Sequence, residues 1–176
     1  MNKVKGDLIA MALDGKFDVI AHGCNCFCKQ ESGIAKGMAH YFDTNNENWY
    51  ELEHPNLKGQ INKLGTIEYA QHYETLNDDI ETIEIPGGLF VVNMYTQYRY
   101  GRNHADGDND PYDAYAIILC LMKLNHTFKG KKVGLPYIGC GLASPPELRE
   151  ARKSEVEFLI ESYMEDCEVT LIEYNK

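Results

Sequence analysis

His22 closes the apolar run Phe17-Asp18-Val19-Ile20-Ala21-His22 and stands beside three cysteines spaced two apart, Cys24, Cys26 and Cys28. An imidazole with an ordinary pKa near 6.5 suits proton transfer or attack on phosphorus at neutral pH. The same residue type is equally at home buried and hydrogen-bonded in a core. Together with the Cys-x-Cys-x-Cys run it offers ligands for zinc, although the usual Cys-x-x-Cys pairs are missing. Cysteines at every second residue are badly placed to bridge one another. Reduced thiols in a cytoplasmic protein are the simpler reading, with no metal and no cofactor. Further along, Glu147 in Ser144-Pro145-Pro146-Glu147 reads as a solvated first-turn acid favoured by the helix dipole.

Two glycine-containing loops carry the other chemistry. The first runs from His22 to Ala35 and ends Ser32-Gly33-Ile34-Ala35; the second is Pro136-Tyr137-Ile138-Gly139-Cys140-Gly141-Leu142-Ala143. Neither contains Gly-Lys-Ser/Thr, which disfavours nucleotide triphosphate hydrolysis. Neither completes Gly-x-Gly-x-x-Gly, since Ser144 stands where the last glycine belongs. Two such loops, each between a strand and a helix, can cradle a diphosphate with main-chain N–H groups.

The elements that must position these loops alternate. Helices are expected over Leu8–Leu13 behind Asp7 as N-cap, Ile34–Phe42, Tyr112–Phe128 after Pro111, and Pro146–Met164. Strands are expected over Phe17–His22, Thr66–Tyr73, Ile80–Ile85, Leu89–Tyr95, Lys132–Tyr137 and Glu168–Tyr174. Residues 43–63 are polar and ambiguous, with Trp49 docking a surface segment. Residues 101–111 form a loop which, with Arg99 and Arg102, is either a lid or a solvated surface. Asp106, Asp108 and Asp110 lack the glycine and terminal glutamate of a calcium loop. Tyr95, Tyr98 and Tyr100 either pack the core or stack on a ligand. The pattern is that of one layered α/β domain, residues 1–176, with ligands beyond the carboxyl ends of its strands.

Composition narrows the partners. The 176 residues carry 17 Lys plus Arg against 27 Asp plus Glu, a formal net charge of −10. That balance argues against general nucleic-acid binding and repels anions at range, so any phosphate must be held largely by main-chain amides. No apolar stretch approaches a membrane span, and no secretory leader is visible.

Gly6-Asp7-Leu8, Val19-Ile20-Ala21-His22-Gly23-Cys24-Asn25 and Ser32-Gly33-Ile34-Ala35 together resemble the opening of a macrodomain. Asn93-Met94-Tyr95-Thr96-Gln97 and Pro136–Leu142 resemble its central strand and second loop. The likeness spans nearly the whole chain and looks closest to small stand-alone phage and microbial macrodomains similar to the ADP-ribose 1″-phosphate phosphatase subgroup. It implies a three-layer α/β/α fold with a central mixed sheet, and a cleft for ADP-ribose or ADP-ribose 1″-phosphate. By the resemblance, Asp7 accepts from the adenine amino group with Leu8 beside it, and Asn25 lies near the distal ribose. Ser32, Gly33, Ile34 and Ala35 form the first phosphate loop, and Gly139, Cys140, Gly141 and Leu142 the second. His22 matches a histidine of the phosphatase subgroup. The accompanying acid is displaced: Pro146 takes its place, and by the resemblance Glu147, one residue on, stands in as the catalytic acid beside His22. A second catalytic subgroup uses a lysine and an aspartate, where this chain has Gln97 and Ala143, so that mechanism is disfavoured. The resemblance thus implies hydrolysis of ADP-ribose 1″-phosphate or a related ADP-ribosyl group, or else a non-catalytic ADP-ribose reader.

Overall fold

The computed structural model describes residues 1–45, 58–100, 111–141 and 144–174. It contains strands β1 (Asn2–Lys5), β2 (Val19–Asn25), β3 (Ile67–Leu76), β4 (Thr82–Gln97), β5 (Lys132–Pro136) and β6 (Glu168–Glu173). Helices α1 (Leu8–Leu13), α2 (Gly33–Phe42), α3 (Ala114–Thr127) and α4 (Arg149–Tyr163) alternate with them. One sheet results, in the order β1-β6-β5-β2-β4-β3. Every neighbouring pair is parallel except β3 with β4.

Side-chain alternation along the central strands builds two cores. Val19 and Ala21 of β2 and Val92 and Met94 of β4 pack with Ile117, Leu121, Leu124, Val156 and Ile160 of α3 and α4. Ile20 and Val91 point the other way, onto Leu8, Ile9, Met38 and Phe42 of α1 and α2. The sheet is therefore the middle of three layers, which explains why Val19–Ala21 of β2 and Leu89–Val92 of β4 read as continuous apolar runs. Each such side chain contributes about 1.5–3 kcal/mol by leaving water. The six-residue α1 is held tightly. Asp7 Oδ1 accepts from Ile9 N at 2.9 Å and Ala10 N at 3.0 Å. Leu8 and Phe17 fill the space over Gly134, where a Cβ would lie 2.7 Å from the first and 2.9 Å from the second.

Several boundaries differ from the sequence reading. β1 is absent from that reading, because its four residues are mostly exposed and carry no apolar alternation. β2 starts two residues later and runs on through Gly23-Cys24-Asn25, since pairing with Met94, Tyr95 and Gln97 continues past a bulge. The expected strands Ile80–Ile85 and Leu89–Tyr95 are parts of the single β4, which passes through Gly87 and Gly88 at positive φ. β3 extends to Leu76, and the turn that follows is closed by Asn77 Oδ1, which accepts from Asp79 N at 3.0 Å and Glu81 N at 2.8 Å. Asp113 caps α3 by accepting from Ala116 N at 2.9 Å, so the helix begins after Pro111 and Tyr112. Pro146–Leu148 forms a 3₁₀ turn ahead of α4. Trp49, Arg102, Asp106, Asp108 and Asp110 lie outside the described residues. Among the described residues, no helix is long and apolar enough to cross a membrane.

Candidate functional site

A cleft of about 320 Å³ opens at the carboxyl ends of β2, β4 and β5. Its first wall is the start of α2. Ser32 sits at the N-cap with extended backbone (φ −152°, ψ 161°) and makes no side-chain capping bond. Gly33 takes φ 59°, a conformation that a residue with a Cβ adopts only under strain. The N–H groups of Gly33, Ile34 and Ala35 belong to the first turn, where the helix offers them no carbonyl. Ser32 and these three residues all line the cleft.

The opposite wall is the loop after β5. Gly139 takes φ 71°, and a Cβ on it would lie 2.8 Å from the Tyr112 ring. Ser144 Oγ donates to Gly139 O at 2.6 Å and in turn accepts from Arg152 Nη1 at 2.7 Å. A buried arginine on α4 thus fixes the loop's path. Gly139 and Gly141 line the cleft. Cys140 does not share their direction: its N–H closes a turn onto Tyr137 O at 3.3 Å, and its side chain is buried in the α3/α4 core. Burial pushes that thiol up to about 12, against the opposing pull of Lys153 and Arg152. Leu142 and Ala143 lie outside the described residues.

The floor and outer lip come from the end of β2 and of β4. Asn25 Oδ1 accepts from Phe27 N at 3.1 Å and Lys29 N at 3.2 Å, while its Nδ2 donates to Lys29 O at 2.7 Å. Asn25 lines the cleft and also braces the loop that follows it. Lys29 lines the cleft as well, with Nζ 4.3 Å from the centre of the exposed Tyr100 ring. Thr96 and Gln97 complete this end, and Gln97 Nε2 donates to Arg99 O at 2.9 Å. Among the described lining residues there is one lysine and no carboxylate. In a chain of net charge −10, that lining spares an anion in the cleft the direct repulsion of a neighbouring carboxylate.

His22 lies beneath this surface rather than on it. It is fully buried, on the α2 side of the sheet with Ile20. Its Nε2 donates to Asn93 Oδ1 at 2.8 Å, which leaves Nδ1 as the unprotonated nitrogen. Asn93 Nδ2 donates to Thr44 O at 2.9 Å, and Gln30 Nε2 donates to the same carbonyl at 3.1 Å. Cys24 Sγ completes the network, 3.3 Å from Asn93 Oδ1 and 3.5 Å from Gln30 Nε2. Burial lowers the His22 pKa to about 4, outweighing the Asn93 hydrogen bond. The imidazole is therefore neutral at pH 7 and, through Asn93, ties Thr44, two residues beyond α2, to β2 and β4. The neighbouring thiols are also protonated: burial raises Cys24 well above its usual value and Cys26 to about 11. Among the described residues no group of three His, Cys, Asp or Glu is placed to hold a metal ion.

The remaining candidates fall around the cleft rather than in its lining. Asp7 is exposed at the end of β1 and its Oδ1 caps α1, whereas Leu8 is 2% exposed and belongs to the core. Glu147 is exposed in the 3₁₀ turn before α4. Of the three tyrosines, Tyr95 is buried and donates to Glu68 Oε2, Tyr98 donates to Gly59 O at 2.8 Å, and only Tyr100 reaches the cleft. Sequence reasoning missed Lys29, Thr96 and Tyr137 as lining residues. A lone lysine in a cysteine-rich loop has no spacing signal. Thr96 and Tyr137 were recoverable as residues next to the carboxyl ends of β4 and β5.

With this geometry in place, comparison with known proteins defines the fold as that of the macrodomains. No family model matches the chain. An uncharacterized 17.5 kDa protein from the tk-vs intergenic region of Enterobacteria phage T4 is 25% identical over 97% of this chain and 94% of its own length. The macrodomain of Mycobacterium tuberculosis DarG superposes with a TM-score of 0.62 at 13% identity, covering 97% of this chain and 95% of its own. Thermosipho africanus DarTG, solved in complex with ADP-ribose, gives a TM-score of 0.64 at 16% identity over 98% of this chain and 40% of its own.

Proposed function

We propose that this protein binds ADP-ribose, or a derivative with a further group on the distal ribose, in the cleft between Ser32–Ala35 and Gly139–Gly141. The observation that carries the reading is the set of N–H groups at the start of α2 that line a cleft with no described carboxylate. Such amides suit a diphosphate, each charge-assisted bond contributing about 1.5–3 kcal/mol. The macrodomain fold and the ADP-ribose complex of the Thermosipho protein support the same ligand. By the resemblance Asp7 is the candidate for the adenine edge: it is exposed, and the α1 cap uses its Oδ1.

ADP-ribose 1″-phosphate belongs within this ligand class. The geometry favours holding it over hydrolysing it through His22 and Glu147. A fully buried imidazole with a pKa of about 4 is neither exposed to attack phosphorus nor charged to donate a proton at neutral pH. Glu147 is exposed and lies outside the lining of the cleft. In this reading His22 is a positioning residue and the protein a reader of ADP-ribose derivatives.

The experiment is calorimetric titration with ADP-ribose, joined to a phosphate-release assay on ADP-ribose 1″-phosphate for wild type, His22→Ala and Glu147→Ala. Saturable heat without phosphate release is expected. Absence of both heat and thermal stabilisation at millimolar ADP-ribose overturns the binding reading. Wild-type turnover lost in a folded His22→Ala variant would restore the phosphatase reading.

A further inference from the structure

The cleft has a polarity that its amide loops do not explain. Both loops serve a diphosphate in the middle of the cleft, but the cationic side chain lies to one side, at the ends of β2 and β4. On ADP-ribose itself the groups flanking the diphosphate are uncharged: a nucleoside on one side, a ribose on the other. A cation beyond the diphosphate grip has no partner on that molecule. We propose that Lys29 and Tyr100 form a subsite that selects a phosphomonoester on the distal ribose, making Lys29 a specificity-determining residue. This rests on the ADP-ribose reading above.

Three features support it. The Lys29 backbone is clamped from both sides by the Asn25 amide, through Lys29 N at 3.2 Å and Lys29 O at 2.7 Å, so its side chain starts from a fixed point. Its ammonium rests 4.3 Å from the centre of the Tyr100 ring, and among the described residues no carboxylate forms an ion pair with it. The contact is a cation–π interaction, which keeps the charge available at low cost in solvation. Strand order then sets direction. Asp7, the adenine candidate, ends β1, which lies on the far side of β6 and β5 from β2, while Lys29 and Tyr100 follow β2 and β4. The lysine therefore meets the end of the ligand remote from adenine.

A phosphate at the 1″ position and one at the adenosine 2′ position share the same chemistry, and the test separates them. Affinities of wild type, Lys29→Gln and Tyr100→Leu are measured by calorimetry for ADP-ribose, ADP-ribose 1″-phosphate and ADP-ribose 2′-phosphate, at low and high salt. Wild type is expected to prefer the 1″-phosphate over ADP-ribose by about fivefold or more at low salt, with the preference shrinking as salt rises. Lys29→Gln is expected to abolish that ratio, and Tyr100→Leu to reduce it. An equal loss for ADP-ribose and its 1″-phosphate in Lys29→Gln overturns the subsite, as does wild-type preference for the 2′-phosphate or for neither. If wild type binds none of the three, the ADP-ribose reading itself has failed.

Discussion

Replacing Gly139 by alanine separates the two demands that the second loop makes on its backbone. At φ 71° an alanine pays about 1–2 kcal/mol for the left-handed conformation. Its Cβ would also lie 2.8 Å from Tyr112 Cδ2 and 3.1 Å from Cε2. The ring cannot swing away freely, because the Arg152 guanidinium stacks 4.4 Å from its centre and its hydroxyl donates to Glu155 at 2.8 Å. Overpacking of this kind adds about 1–3 kcal/mol. The sum is about 2–5 kcal/mol, or a fall in Tm of about 4–20 °C for a chain of this length. Urea denaturation followed by circular dichroism measures it. Gly141→Ala is the control: a Cβ there meets nothing within 4 Å, and a change under about 0.5 kcal/mol is expected. Tyr112→Leu completes a double-mutant cycle. In that background Gly139→Ala should cost only the left-handed share, about 1–2 kcal/mol. Equal effects of Gly139→Ala and Gly141→Ala, or no coupling to Tyr112, would refute the reasoning.

Further outcomes follow from the same geometry. Asn25→Ala removes bonds to Phe27 N, Lys29 N and Lys29 O; about 2–3 kcal/mol of stability is lost, and affinity for ADP-ribose 1″-phosphate falls towards that for ADP-ribose as Lys29 loses its anchor. The two losses are read by denaturation and calorimetry; unchanged affinity refutes the bracing role. His22 has a folded pKa of about 4 against 6.5 in the unfolded chain, so the unfolded state takes up the proton first. Stability is full above pH 6.5 and declines as pH falls towards 4, by up to about 3 kcal/mol. Urea curves at pH 7 and 4.5 should show a smaller decline in His22→Gln, and an equal decline would place the titration elsewhere. Arg152→Met strips the donor from Ser144 Oγ; a loss of about 2 kcal/mol with weakened ligand binding is expected, and intact binding would show that the loop holds its own shape. Glu147→Ala, at an exposed position, should leave stability within about 0.5 kcal/mol in the same assay.

The layers and the two glycine-containing loops were legible because a short apolar run in β2 and helical apolar patterns in α3 and α4 survive, and because glycines mark the turns beyond the strands. What escaped had identifiable causes. Gly87 and Gly88 read as a break between two strands, yet both are absorbed into β4 as a bend. β1 is stabilised by pairing with β6 from the opposite end of the chain, which no local pattern announces. His22 drew attention as a chemical group, although its place two residues after Ile20 already put it on the buried α2 face. Lys29 was invisible for the opposite reason: its importance comes from which residues lack charge around it, a property of the assembled cleft.

The pairing of Asn2 with Thr170 also has a bearing on how the molecule is made. These partners are separated by 168 positions (170 − 2), the span of nearly the whole chain. At a ribosome delivering about 5–20 residues per second, the earliest strand waits roughly 8–34 s for its neighbour to emerge. Until then the hydrogen-bonding edges of β1 and β5 that β6 will join are both uncovered. Nascent chains stalled before Glu168 should accordingly be captured by holdase chaperones and cleaved readily by protease, and become resistant only when the last strand clears the exit tunnel.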